Sequence, residues 1–237
     1  MLITILDLIG QGYTAQEIIF YVFIMLFALL ISFSFHEFMH AYVATILGDP
    51  TPGDMGRVTL NPLAHIDPSG AVLILLAGFG WGKPVVYNPR KLTRLQSKTA
   101  MEIMVALAGV TGNFIIALIC TIGAAVVAGT GAADGSLKGL YLIFMYTSYF
   151  SLMLLGFNLI PLPPLDGYQV LHHIVPVKVR YTRPYQTFEN IAPKLLLVLF
   201  GIGFVTRISV LSILVNLIKW PFEKLLELIF NLIVGLF

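Results

Sequence analysis

Charge is what this chain has least of. Asp, Glu, Lys and Arg make up only 11% of its 237 residues, against roughly a quarter in an ordinary soluble domain. A soluble enzyme of this length needs far more of them to cover its core. Cysteine is almost absent too. The one thiol, Cys120, has no partner within the chain, which excludes a disulfide-stapled secreted scaffold. A formal net charge of +2 offers no basic surface to nucleic acid or another polyanion. No Lys or Arg precedes Arg57, so the basic start of a signal peptide is missing as well. No internal repeat, low-complexity tract or appended soluble domain is visible. What fills the chain is apolar: 58% of residues are hydrophobic and the mean hydropathy is +0.90. Disorder is excluded, and the composition is that of a membrane protein.

The charge is missing in blocks. Residues 18–36, 103–133 and 139–165 hold no Asp, Glu, Lys or Arg, and about 20 apolar residues suffice for a helix to cross the hydrocarbon layer. Because lipid offers the backbone no hydrogen bonds, these blocks are expected to be helical. A fourth stretch, 195–218, is apolar apart from Arg207, which must snorkel, find a partner or line a polar cavity. The block 69–82, with four glycines, is short for a crossing and reads as a re-entrant or tightly tilted fifth segment. Residues 220–237 mix Glu223, Lys224 and Glu227 with apolar side chains, the pattern of a helix lying in the interface with Trp220 among the headgroups. The expected fold class is therefore an all-α polytopic membrane protein. It has about four transmembrane helices, the short fifth segment, and one integral-membrane domain over 1–237.

Orientation follows from the basic residues. Residues 1–46 hold none, whereas 47–98 hold Arg57, Lys83, Arg90, Lys91, Arg94 and Lys98, and 166–194 hold four more. The positive-inside rule puts the N-terminus outside and both basic connections in the cytoplasm, at the cell membrane.

Three ionisable residues nevertheless sit at the end of the first span, in His36-Glu37-Phe38-Met39-His40. A helix advances about 100° per residue, which brings His36 and His40 onto one face, one turn apart. Two imidazoles so placed can bind one zinc ion, with Glu37 beside them to hold an attacking water. They could instead only fill a polar interior, but intramembrane charge is costly and marks function by default. A catalytic zinc takes three protein ligands and leaves one position open. Asp166 is the best-placed third ligand, closing the uncharged block 139–165 on the same side in Asn158-Leu-Ile-Pro-Leu-Pro-Pro-Leu-Asp166-Gly167. Prolines followed by Asp-Gly are also an ordinary helix-ending turn; depth relative to the histidines favours the ligand.

On these motifs the chain resembles the site-2 protease family of intramembrane zinc metalloproteases, as a short bacterial-type member. His36 through His40 matches the family's first motif and Asn158 through Gly167 its last. Ala108-Gly109-Val110-Thr111-Gly112-Asn113 resembles the small-residue motif between them. The resemblance covers a catalytic core of about 17–175, leaving a C-terminal part of about 191–237. It implies one Zn2+ per chain held by His36, His40 and Asp166, with Glu37 as the catalytic base acting on zinc-bound water. Asn158 would hold the substrate or the developing oxyanion. Substrates would be membrane proteins, mainly single-span, cut within or beside the bilayer where their helices unwind. Gly56 through Pro62, with His65-Ile66-Asp67-Pro68, also resembles a stretch after the first motif of short members. Its composition suggests a small β element after the first span, whose free edge could take a substrate by β-addition.

The broader family's PDZ insertion, cystathionine-synthase-like tail and separate span before the motif are not seen. His65 and Asp67 could be ligands, but a turn capped by Asp67 is more ordinary, and nothing distinguishes His172 and His173. Gly109, Gly112 and Asn113 read as close helix packing with one interhelical hydrogen bond. Two other functions use the same residues: a membrane zinc carrier, in which Glu37 has no special task, and a scaffold with a structural zinc, which would need a fourth ligand such as His65.

Overall fold

The computed structural model describes residues 2–77, Gly80, 82–206 and 210–237. Its described residues form ten α-helices, and their one ladder contact is an isolated antiparallel bridge between Ile66 and Gly82. Three of the helices are long and apolar enough to cross a membrane: α2 (Ala15–Ile46), α5 (Lys98–Gly129) and α6 (Lys138–Asn158). A nine-residue helix, α1 (Leu2–Gly10), precedes them. The three long helices pack on one another and form the centre of the molecule.

Each has a local cause. Thr14 and Glu17 close a capping box at the start of α2, the Thr14 hydroxyl accepting from Glu17 N and the Glu17 carboxylate from Thr14 N. Ser97 caps α5 by accepting from Ala100 N. The contact faces are made of small residues, among them Ala28, Ser32 and Ala41 on α2 and Gly109, Gly112, Ala117 and Ala124 on α5. Small side chains let helices approach closely where water supplies no hydrophobic drive, and hydroxyls add interhelical hydrogen bonds. Ser151 of α6 donates to the Ser32 hydroxyl, and Thr121 and Ser148 pair at 2.8 Å.

Several sequence expectations are corrected. The first span does not end at the His36–His40 motif, because α2 runs on to Ile46. The described residues of the expected fourth span, 195–218, fall in two helices. These are α9 (Arg183–Thr206) and α10 (Val210–Val234), which meet in one cluster containing Leu196, Leu211 and Val215. Arg207 lies outside the described residues. The β element after the first span is replaced by turns. Asn61 accepts from Leu63 N, Pro62–Ala64 forms a 3-10 turn, and Gly56 takes a φ of +66°. Residues 220–237 do not form a separate interfacial helix. They belong mostly to α10, whose Leu226 is buried against Ala117 of α5 and Leu152 of α6.

The block 69–82 contains α4 (Pro68–Ala77), ten residues and about 15 Å long. Its two ends come together, since Gly82 bridges Ile66 and Lys83 N donates to His65 O. Residues 78, 79 and 81 lie outside the described set. Two short helices, α3 (Thr51–Asp54) and α8 (Val177–Arg180), lie in the connections, and α7 (Asp166–Ile174) packs on α5.

Candidate metal centre

Three elements converge on one point: the middle of α2, the middle of α5 and the first residue of α7. On α2, one helical turn sets His36 and His40 side by side, with their Nε2 atoms 3.0 Å apart. From α7, Asp166 Oδ2 reaches to 3.4 Å from His36 Nε2 and 3.3 Å from His40 Nε2. That oxygen is buried and has no hydrogen-bond partner. These three side chains are the one group of at least three His, Cys, Asp or Glu ligand atoms close enough to share an ion among the described residues. Zinc ligand atoms about 2.0–2.1 Å from a tetrahedral centre stand about 3.3 Å from one another. The residues present therefore fit a zinc ion.

The surrounding atoms set the ring orientations. His40 Nδ1 donates to Val105 O at 2.8 Å, which leaves its Nε2 lone pair facing the group. Asn113, fully buried on α5, has its amide 3.0 Å from His36 Nδ1. An acceptor at Nδ1, as Val105 O is for His40, fixes the tautomer and raises the basicity of a ligating imidazole. Asn113 supplies one to His36 with its amide turned so that the otherwise unpartnered Oδ1 faces the ring. The small residues of α5 permit this approach. A Cβ on Gly109 would stand 2.3 Å from His40 Nε2 and 2.5 Å from His36 Cε1, and one on Gly112 would stand 2.5 Å from Met39 Cγ. Gly167 plays the corresponding part beside Asp166, since a Cβ there would lie 2.3 Å from Leu159 O at the end of α6.

Glu37 is buried next to the group, and its Oε2 accepts a hydrogen bond from Val85 N at 3.2 Å. Asn158 is not drawn into the group. It ends α6, half-buried, and its amide donates to Leu154 O in its own helix. His65 is also apart: it is fully buried and its Nε2 bonds Thr59 O. Burial, with the nearby Arg57 guanidinium, holds the His65 imidazole below its ordinary value. Asp67 accepts from Ser69 N and Gly70 N at the start of α4, an ordinary turn.

Three features had no signal in the sequence. Glu102 of α5 pairs with His173 of α7 at 3.2 Å, and His172 pairs with Glu189 of α9 beside Tyr168 and Tyr185. These contacts tie down the helix that carries Asp166. Asp49, fully buried just beyond α2, accepts from Thr51 N and Asn88 N. It thereby fixes the loop that delivers Val85 to Glu37. Pairings between residues tens of positions apart follow from packing, which local pattern does not encode.

The motif set can now be compared with known proteins. The chain is 41% identical over 162 residues to "Putative zinc metalloprotease YwhC" of Bacillus subtilis, an alignment covering 66% of this chain and 71% of that protein. The chain belongs to the site-2 protease family. Its similarity to another protein, "Putative zinc metalloprotease Rip2" of Mycobacterium tuberculosis, is 31% over 198 residues, covering 80% of this chain and 71% of the relative. The Rip2 of Mycolicibacterium smegmatis is 29% identical over 174 residues. No family model matches the chain, and no solved structure matches it. Membership accounts for the His36–His40 and Asp166 motifs lying far apart in sequence yet meeting at one point of this site-2 protease chain.

Proposed function

We propose that this chain is a zinc-dependent intramembrane endopeptidase that cleaves transmembrane or membrane-proximal segments of other membrane proteins. The observation that carries the proposal is the convergence of His36 Nε2, His40 Nε2 and Asp166 Oδ2 at tetrahedral-ligand spacing, beside a buried carboxylate. Those three residues would hold one zinc ion. Bound zinc supplies Lewis acidity toward a carbonyl and lowers the pKa of a water toward about 7. Glu37 takes a proton from the attacking water and returns it to the leaving amine, so that one water and one peptide bond give a carboxylate and an ammonium group once the second water proton has followed. The Val85 N–H orients the Glu37 carboxylate by its Oε2 and leaves the other oxygen to take the proton. Val105 and Asn113 hold the two imidazoles in the ligating orientation.

No fourth His, Cys, Asp or Glu joins the group among the described residues. An open position is what separates a catalytic zinc from a structural one. Asn158 gives one amide N–H to Leu154 O and has a second with which to steady the substrate carbonyl. In the proposed topology the N-terminus lies outside and the site lies toward the cytoplasmic side, close to water. The fitting substrates are single-span membrane proteins with a helix-weak segment, since a helical peptide hides its carbonyls in hydrogen bonds.

Metal content and cleavage, measured together on the full chain in vesicles, test this. Wild type should hold about one zinc and cut a single-span reporter. Glu37→Gln should keep the zinc and lose activity about 10²- to 10⁴-fold. Asp166→Ala should lose both. Zinc retained in full by Asp166→Ala would overturn the ligand set, and cleavage surviving Glu37→Gln would overturn the base.

A further inference from the structure

Among the described residues, His65 is the largest polar side chain that is fully buried. Its Nε2 meets Thr59 O at 2.9 Å, and its Nδ1 has no hydrogen-bond partner among those residues. A carbonyl oxygen only accepts, so the ring carries its proton on Nε2. A second proton, on Nδ1, would leave a buried donor unmade, which is costly. One nitrogen of this histidine is in use and the other is idle.

The bond to Thr59 closes a turn. Arg57 Nη1 donates to Ala64 O while His65 Nε2 donates to Thr59 O, so two side chains cross the same stretch in opposite directions. Ala64 N donates to Asn61 O, and His65 N and Ile66 N to Pro62 O. The Arg57 guanidinium is close enough to act on both the His65 ring and the Glu37 carboxylate, which puts the turn beside the metal centre.

What the turn holds is the segment from Gly82 to Val85. His65 O accepts from Lys83 N at 2.7 Å, and Ile66 bridges Gly82. Gly82 is pressed on α2, where a Cβ would strike the Phe33 ring on one side and His65 O on the other. Phe33 stands one helical turn before Glu37, on the same face of α2. Pro84 has no N–H to give, and the next donor, Val85 N, reaches Glu37 Oε2 at 3.2 Å. Asp49 fastens the far end of the segment at Asn88 N, and His65 fastens the near end.

We propose that His65 is a positioning residue for peptide cleavage, a role that rests on Glu37 being the base. Gripping Thr59 O with its ring and Lys83 N with its carbonyl, His65 keeps Val85 N–H where it orients the Glu37 carboxylate. In this role His65 binds no metal and moves no proton.

Variants that keep one ring nitrogen or the other test it, in the full chain in lipid vesicles with zinc. A Gln amide can take the place of Nε2, whereas an Asn amide reaches only the place of Nδ1. His65→Asn should speed hydrogen exchange at the Lys83 and Val85 amides and lower kcat on a single-span reporter about 10²-fold. Its zinc content and KM should match wild type. His65→Gln should recover slow exchange and most of kcat. Gly82→Ala lifts the same segment off Phe33 with His65 intact and should reproduce the His65→Asn pattern, so the outcome does not hang on one variant folding. Exchange at Val85 unchanged in His65→Asn would overturn the proposal, as would an unchanged kcat. Zinc lost from His65→Asn, or His65→Gln as impaired as His65→Asn, would overturn it in favour of a ligand or proton-transfer role. Exchange and zinc content need no cleavage, so a wild type that cuts no reporter refutes the protease reading separately.

Discussion

Asn113 shows how much of the site rests on a single side chain. It is buried on α5 and its amide lies 3.0 Å from His36 Nδ1. The closeness of His36 and His40 was legible in the sequence, because they are one helical turn apart, and Asp166 was legible as the charge that closes an uncharged block. Asn113 was legible only as an interhelical hydrogen bond; its bond to His36 depends on the depth at which α5 meets α2. Removing a partner of this kind typically weakens metal binding 10- to 100-fold. Asn113→Ala should therefore lower zinc affinity by about that factor, read by competition with a chelator of known affinity. Ile122→Ala, exposed on the same helix and nine residues beyond Asn113, should leave it unchanged.

Among the elements, the loop between α4 and α5 was the least legible. Its course is set by Asp49, whose partners Thr51 and Asn88 are 2 and 39 residues away. Only the first separation is visible to local pattern. Burial raises the Asp49 carboxyl, but the donors from Thr51 and Asn88, with Lys91 nearby, lower it more, so it sits below the ordinary carboxylate value. The unfolded chain therefore binds this proton more tightly than the native one. The fastening is complete above about pH 4 and is lost as pH falls through the lower native value. Asp49→Ala strands two backbone donors and should cost about 1–3 kcal/mol locally. Hydrogen exchange at the Asn88 amide reads it: fast in the variant at neutral pH, and slow in wild type until the carboxyl is protonated. The β element failed for a related reason, since Asn61 and Pro62 satisfy the backbone locally as a turn.

Across the whole molecule, composition indicated a membrane protein and uncharged blocks located the three long helices. They misread residues 220–237, where Glu223, Lys224 and Glu227 suggest an interfacial helix but α10 packs against two spans. Lys219 shows why. It is buried, and its charge is met by Glu223 at 2.9 Å, a pairing made on the helix itself that hydropathy does not register. Because a ligand that binds only the folded state stabilises it, zinc at a thousandfold above its Kd should add about 4 kcal/mol. The Tm of wild type should rise with added zinc and fall with a chelator, and Asp166→Ala should show neither change. The glycines at 109 and 167 carry the last consequence. Each stands where a Cβ would strike the ligand cluster or the backbone beside it, so the gap between ligands is a gauge cut by hard contact between helices. Metal can then leave and return as a key does in a finished lock, with no part of the chain needing to be remade around it.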